Sequence, residues 1–291
     1  MEEQQRSPTE TTKRALPVGD GPYVQAKHAQ LVEKDLEAAI TWFWKAIEAG
    51  DRIESALKDM AVVMKQLERS EEAIEIIKSC RGLCPKQAQD SLDNVLIDLY
   101  KKSGKVDEQI QLLKMKLKAI YLGKTFNGSP TKSARSNGKK VQISVKQETA
   151  KLLGNLGWAY MRKPNYIAAE AVYNKAQMID PNSNNACNLA ECLLWQGRYE
   201  QSLAVLEKVI EGKFPGSECD CSKARIRAHE LMRNIGLGLG LSDQKEPLDF
   251  SDEELVKIVK HLPSERIPSS SKRLPIFETI LSLERSSDDD P

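Results

Sequence analysis

At 291 residues the chain can bury a sizeable core, as one large domain or two ordinary ones. Its 43 basic and 42 acidic residues nearly cancel to a formal charge of +1, which excludes the protein-wide field that marks many nucleic-acid binders. Aromatic residues make up 5%, while Ala, Leu, Glu and Lys are plentiful, a mix that favours helix; no run approaches the roughly 18 uncharged apolar residues of a membrane span.

The N-terminal residues 1–19 are polar and Pro-containing, carry no apolar signal segment, and read as disordered. From residue 20 an apolar helical period sets in. Ala39, Phe43 and Ala46 lie 34 residues before Ala73, Ile77 and Cys80, so an atypical first helical pair precedes a second built on Leu57, Met60, Ala61, Met64, Ala73, Ile77, Cys80 and Pro85. In the cluster Trp42-Phe43-Trp44, Phe43 falls on the packing stripe and the two tryptophans splay to either side. Leu96, Ile97, Tyr100, Gly104, Val106 and Leu113 mark a weaker third pair.

Residues 122–147 interrupt the period. From Gln109 to Gln147 there is no acidic residue, while Lys114, Lys116, Lys118, Lys124, Lys132, Arg135, Lys139, Lys140 and Lys146 supply positive charge. This basic insertion reads either as a solvated flexible loop or as a docking element for an acidic partner segment, with Lys132, Arg135, Lys139 and Lys140 as its contacts. Direct nucleic-acid binding is the weaker option, since only Phe126 offers a stacking ring. Val141, Ile143 and Val145 alternate, which would let the segment pack down as extended chain, and Ser129-Pro130 is a dipeptide-level phosphosite.

The clearest unit follows. Leu153, Leu156, Gly157 and Tyr160 share one helix face; Lys163-Pro164-Asn165 breaks it; Tyr166, Ala169, Tyr173 and Ala176 form a second stripe; Pro181 stops it. Small residues at Gly157, Ala169 and Ala176 permit close helix approach, and Tyr160 and Tyr173 fill the space beside them. Tyr199 lies 33 residues after Tyr166, and Ala190, Ser202, Leu206 and Val209 repeat the packing places. Residues 222–237 form an amphipathic helix (Ile226, His229, Leu231, Met232) suited to capping a stack. Residues 241–291 read as a flexible tail with a short helix at 251–261.

The order Gly157, Tyr160, Ala169, Tyr173, Ala176, Pro181 resembles the tetratricopeptide pattern, with Leu153 where that family prefers Trp. The expected fold is therefore all-α: a right-handed superhelical solenoid of about five helical pairs, in segments 20–121 and 148–240, plus a capping helix. In such a stack the first helix of each pair lines the concave face. The polar residues left over there are Lys58, Lys65, Asn94, Asp98, Lys101, Lys151, Asn155, Trp158, Arg162, Asn188 and Glu191, the candidate partner-binding set. Asn155 and Asn188 hold the same place in successive repeats, where an amide can both donate to and accept from an extended peptide backbone; Trp158 supplies an aromatic anchor. Some tetratricopeptide proteins grip chaperone C-termini with a Lys–Asn clamp; Lys58 is suitably placed, but Val62 stands at the matching position, which argues against that role.

Catalysis has little support. Only His28, His229 and His261 are present, and no phosphate loop, nucleophile elbow or zinc-protease motif occurs. The cysteines Cys80, Cys84, Cys187, Cys192, Cys219 and Cys221 read as reduced; Cys219 and Cys221 make the only tight pair, without a zinc-like partner spacing. No cofactor or metal is expected.

Several runs lie outside the generic repeat positions: Tyr23-Val24-Gln25-Ala26-Lys27-His28 within 23–35, Lys58-Asp59-Met60-Ala61-Val62-Val63 within 55–66, and Asp93-Asn94-Val95-Leu96-Ile97-Asp98 within 91–102. To these add Phe126-Asn127-Gly128, Pro130-Thr131-Lys132, Ala134-Arg135-Ser136, Leu153-Gly154-Asn155-Leu156-Gly157-Trp158-Ala159-Tyr160-Met161 and the tail element Arg273-Leu274-Pro275-Ile276-Phe277-Glu278. Together they resemble the plant tetratricopeptide family of sulfur-deficiency-induced and male-sterility, pollenless-type proteins, with the compact length and the acidic end at 286–291 closer to the first branch. The resemblance implies a non-enzymatic, nuclear or nucleocytoplasmic regulator that binds proteins such as transcription factors. Some members act in the sulfur-starvation response and restrain sulfur-rich, glucosinolate-type metabolism, others in male meiosis and pollen development. Two alternatives of other classes are an enzyme or metal sensor using the cysteines and a structural, self-associating module.

Overall fold

The computed structural model describes residues 17–124, 131–136, 139–215 and 218–238. They divide into two compact units, before and after the step from Lys105 to Val106. The first unit holds α1 (Pro22–His28), continued by a wider turn over Ala29–Glu33, then α2 (Leu36–Glu48), α3 (Ile53–Gln66), α4 (Ser70–Cys80) and α5 (Lys86–Ser103). The second holds α6 (Val106–Tyr121), strands β1 (Thr131–Ser136) and β2 (Lys139–Ser144), then α7 (Val145–Arg162), α8 (Tyr166–Ile179), α9 (Ser183–Trp195), α10 (Tyr199–Ile210) and α11 (Glu218–Gly238).

Short polar residues start these helices. The side chains of Asp35, Asn165 and Asn182 each accept the backbone N–H three residues on, at 2.9, 3.2 and 2.9 Å. Ser144 and Gln147 form a reciprocal capping box at the start of α7. Gly104 and Gly197, both at φ 72°, end α5 and α9 in the left-handed conformation that costs glycine nothing. Lys163-Pro164-Asn165 turns α7 into α8, and the Asn165 N–H donates back to the Tyr160 carbonyl at 3.0 Å.

Each unit is a stack of antiparallel helix pairs, and the repeat residues make its core. In the first, Ala39, Phe43, Leu57, Met60, Ala61, Met64, Ala73 and Ile77 are buried, whereas Trp42 carries the Lys45 ammonium 4.1 Å above its ring and Trp44 reaches solvent. In the second, Ala169, Tyr173, Leu189, Cys192 and Leu193 pack together, with Tyr160 against them. The Tyr173 ring occupies the space over Gly157: a Cβ there would stand 2.7–2.9 Å from three ring atoms. A further cluster joins Ala186, Ala190, Leu203, Leu206 and Val209 to Ala224, Ala228, Met232 and Ile235 of α11, which closes the stack as a cap.

The fold is the expected all-α one, and the insertion adds a small extended element to it. Part of the basic insertion forms an antiparallel hairpin in full register, from Thr131 opposite Ser144 to Ser136 opposite Lys139. β-Branched Thr131, Val141 and Ile143 favour extended chain, and Asn137 and Gly138 stand between the strands as a two-residue hairpin signal. The expectations for residues 1–16, Phe126, Ser129-Pro130, the tail helix at 251–261 and the element 273–278 lie outside the described residues.

Candidate protein-binding surface

In the second unit α7 touches α9 and α9 touches α11, while α8 and α10 connect them from the other layer. The three helices therefore share a face. On α7 the spacing four, three, four sets Lys151, Asn155, Trp158 and Arg162 in one stripe. Lys151 and Arg162 are exposed, Asn155 and Trp158 half-buried, and the Arg162 guanidinium sits 5.7 Å from the centre of the Trp158 ring, within cation–π range. On α9 the corresponding places, 33 residues on, are held by Asn184, Asn188, Glu191 and Trp195.

These two stripes differ electrostatically. Glu191 is met by Arg227 of α11 at 2.6 Å, so its charge is compensated. Lys151 and Arg162 have no carboxylate partner among the described residues, which leaves the α7 stripe net positive at both ends. Asn188 is half-buried beside the Tyr173 hydroxyl, which is buried and makes no hydrogen bond of ordinary geometry; burial also pushes the tyrosine's ionisation upward. Trp195 was missed by sequence reasoning. It is 62% exposed and stacks on Tyr166 at 5.8 Å with 12° between the rings. The signal was present, since Trp195 stands one repeat after Arg162, on the same stripe.

The first unit treats its matching residues differently. Lys58 is bound by Glu54 at 2.7 Å and lies 3.4 Å from Ser91, whose hydroxyl donates to the same Glu54 carboxylate at 2.6 Å. Burial raises the Glu54 pKa, but the Lys58 and Ser91 bonds outweigh it and hold the carboxyl below its ordinary value. Lys65 pairs with Asp98 at 3.6 Å, and Lys102 with Glu68 at 3.0 Å. Tyr23 and Lys27 converge on Asp59 at 2.8 and 3.2 Å, fastening α1 to α3. Asn94 is half-buried, and Lys101, though exposed, is also engaged. Here the first helices are laced to one another by their own charges. Lys58 is thus tied down, and Val62, 45% exposed, puts an apolar surface where a chaperone clamp needs an amide.

In the basic hairpin Lys132 turns inward. Its ammonium lies 3.2 Å from Glu148 of α7, whose side chain is only 4% exposed. Lys132 therefore pins the hairpin to the helix rather than standing free for a partner. Arg135 is in register with Lys140, and Lys139 with Ser136. Among the described residues no three potential ligands gather into a metal site, and no helix is long and apolar enough to cross a membrane.

Two of the cysteines are packing residues. Cys187 and Cys192 are buried, and burial pushes both thiols up, Cys192 to about 12. Iodoacetamide at pH 8 is expected to spare both in the native protein and to modify them only in denaturant; alkylation of native Cys192 at the rate of a free thiol, read by mass spectrometry, would contradict this packing.

A tetratricopeptide repeat family model matches residues 150–183, the segment of α7 and α8. The Arabidopsis thaliana protein Sulfur Deficiency-Induced 1 is 56% identical over 272 residues, covering 92% of this chain and 88% of its own. Sulfur Deficiency-Induced 2 of the same plant is 51% identical over 276 residues, covering 92% and 90%. Pollenless 3-Like 2, also from Arabidopsis thaliana, is 55% identical over 223 residues, which span 76% of this chain and 52% of that protein.

Proposed function

Since this chain belongs to the plant tetratricopeptide family of sulfur deficiency-induced and pollenless proteins, we propose that it is a non-enzymatic scaffold that holds a transcription regulator on the α7–α9 face of its second unit. It acts in the nucleus, and in the cytoplasm as well, during sulfur starvation, and restrains sulfur-rich secondary metabolism of the glucosinolate type. The names of two relatives whose likeness runs along nearly the whole of both chains support the sulfur branch over the pollen branch.

One observation carries the choice of surface. In the first unit Lys27, Lys58 and Lys65 are paired internally, whereas among the described residues Lys151 and Arg162 of the α7 stripe meet no carboxylate, with Asn155 and Trp158 between them. Asn155 and Asn188 can hydrogen-bond an extended backbone in successive repeats, and Trp158, held by Arg162, offers an anchor with little ordering left to lose. The basic hairpin beside the start of α7 speeds the encounter with an acidic segment.

The test is capture of partners by the full chain from sulfur-starved and sulfur-replete plant tissue, comparing it with the Asn155→Ala, Trp158→Ala double variant. Loss of an anchoring Trp and of an amide pair amounts to about 3 kcal/mol, so captured regulator should fall roughly a hundredfold while the thermal melt is retained. Equal capture by both proteins rejects the face. Concentration-independent size in sedimentation separates this reading from a self-associating module.

A further inference from the structure

The hairpin has a property beyond its charge. Among the described residues β1 pairs with β2 alone, through six consecutive positions. In an antiparallel ladder alternate residues direct their N–H and C=O away from the partner strand, so each strand keeps an open edge of backbone donors and acceptors. We propose that this edge takes an extended acidic segment of a partner protein as a third strand. The inference rests on the scaffold reading only in expecting a protein partner; the surface is distinct from the α7–α9 face.

Three observations support it. The template is already ordered: β2 runs directly into α7 through the Ser144–Gln147 capping box, and Lys132 fixes β1 to the buried Glu148. A pre-ordered edge spares an incoming strand part of the ordering cost that weakens flexible docking loops. Next, the charge selects the occupant. Lys132 is spent on Glu148; the sequence from 124 to 147 also carries Lys124, Arg135, Lys139, Lys140 and Lys146 and no acidic residue. Basic edges oppose pairing with a second copy of themselves, since like charges would face one another, and favour a strand carrying Glu or Asp. Finally, between residues 124 and 147 only Phe126 could stack on a base, which disfavours single-stranded nucleic acid as the occupant.

The probe is a fluorescent peptide of about ten residues alternating Glu with Thr and Val, titrated against the full chain; two further versions carry backbone N-methyl groups on alternate residues, one on each parity. Strand addition predicts that methylation on one parity weakens binding about tenfold or more, while the other parity leaves it nearly unchanged, because only one set of N–H groups faces the hairpin. Lys139→Glu with Lys140→Glu should abolish binding, and Asn155→Ala with Trp158→Ala should preserve it. That last pair separates failure here from failure of the groove. The proposal is overturned if the parent peptide does not bind, or if both methylated versions bind like the parent, which would leave charge attraction alone. Tighter binding of a single-stranded oligonucleotide that displaces the peptide overturns it too, as does a dimer of the unliganded chain that dissolves in the Lys139→Glu, Lys140→Glu variant.

Discussion

Replacing Gly157 by leucine is expected to cost the second unit about 3 kcal/mol or more, the upper range for overpacking a core. The place a side chain would take is already filled. Three atoms of the Tyr173 ring lie 2.7–2.9 Å from an ideal Cβ, and that ring is fully buried, packed with Ala169, Leu189, Cys192 and Leu193. Alanine meets the same obstacle but regains about 1 kcal/mol of helix propensity, so its net loss is smaller. Combining Gly157→Ala with Tyr173→Leu should recover much of the sum of the two single losses, because the second change removes the atoms the first collides with. Tyr173→Phe should be neutral or stabilising, since it deletes a buried hydroxyl that lacks an ordinary hydrogen bond. Urea unfolding of these variants, with the Tyr173→Leu single included, measures all of this; a Gly157→Leu protein as stable as its parent would show that the ring does not fix the α7–α8 spacing.

That contact is also where the sequence was most legible. Gly157, Ala169, Tyr173 and Ala176 are packing residues because size at helical spacing is a local property, and local properties survive without a fold. The caps at Asn165 and Asn182, read in the sequence only as breaks, are local in the same way: a short polar side chain needs only the next turn of its own chain. The Asn155 and Trp158 stripe was legible as a face, from period alone.

What stayed hidden depends on pairs that meet across turns. Nothing in a sequence says that Lys58 will find Glu54 and Ser91, which removes it from the free cations, whereas Lys151 finds no carboxylate among the described residues. Tyr166 and Trp195 stack because the start of α8 and the end of α9 come together, a consequence of three-dimensional packing. The basic insertion was read as uniformly positive because its compensating charge, Glu148, lies just beyond its end, on the next helix. Composition counted Lys132 as one charge among several. Packing made it different in kind.

Lys132→Ala is accordingly expected to destabilise the second unit by about 2–3 kcal/mol. Removing one partner of a buried ion pair leaves the other desolvated and unmatched, at a cost of about 3–5 kcal/mol. The lower figure applies because Lys132 is itself 27% exposed, so water can partly replace it beside Glu148. Replacing both partners by apolar residues of similar size, Lys132→Met with Glu148→Leu, should return most of the stability, since no charge is then buried. The effect should be local, with faster amide exchange across 131–136 and 139–144 in Lys132→Ala and near-parental protection in the double variant. Unchanged exchange and an unchanged melt in Lys132→Ala would mean that Glu148 is satisfied without it. The distinction governs how the hairpin can be probed: a charge reversal that includes Lys132 would release the strands from α7 and weaken partner capture through disorder, so it could not separate structure from recognition. Reversal at Arg135, Lys139 and Lys140, with Lys132 intact, keeps the template anchored and changes only the charge it offers.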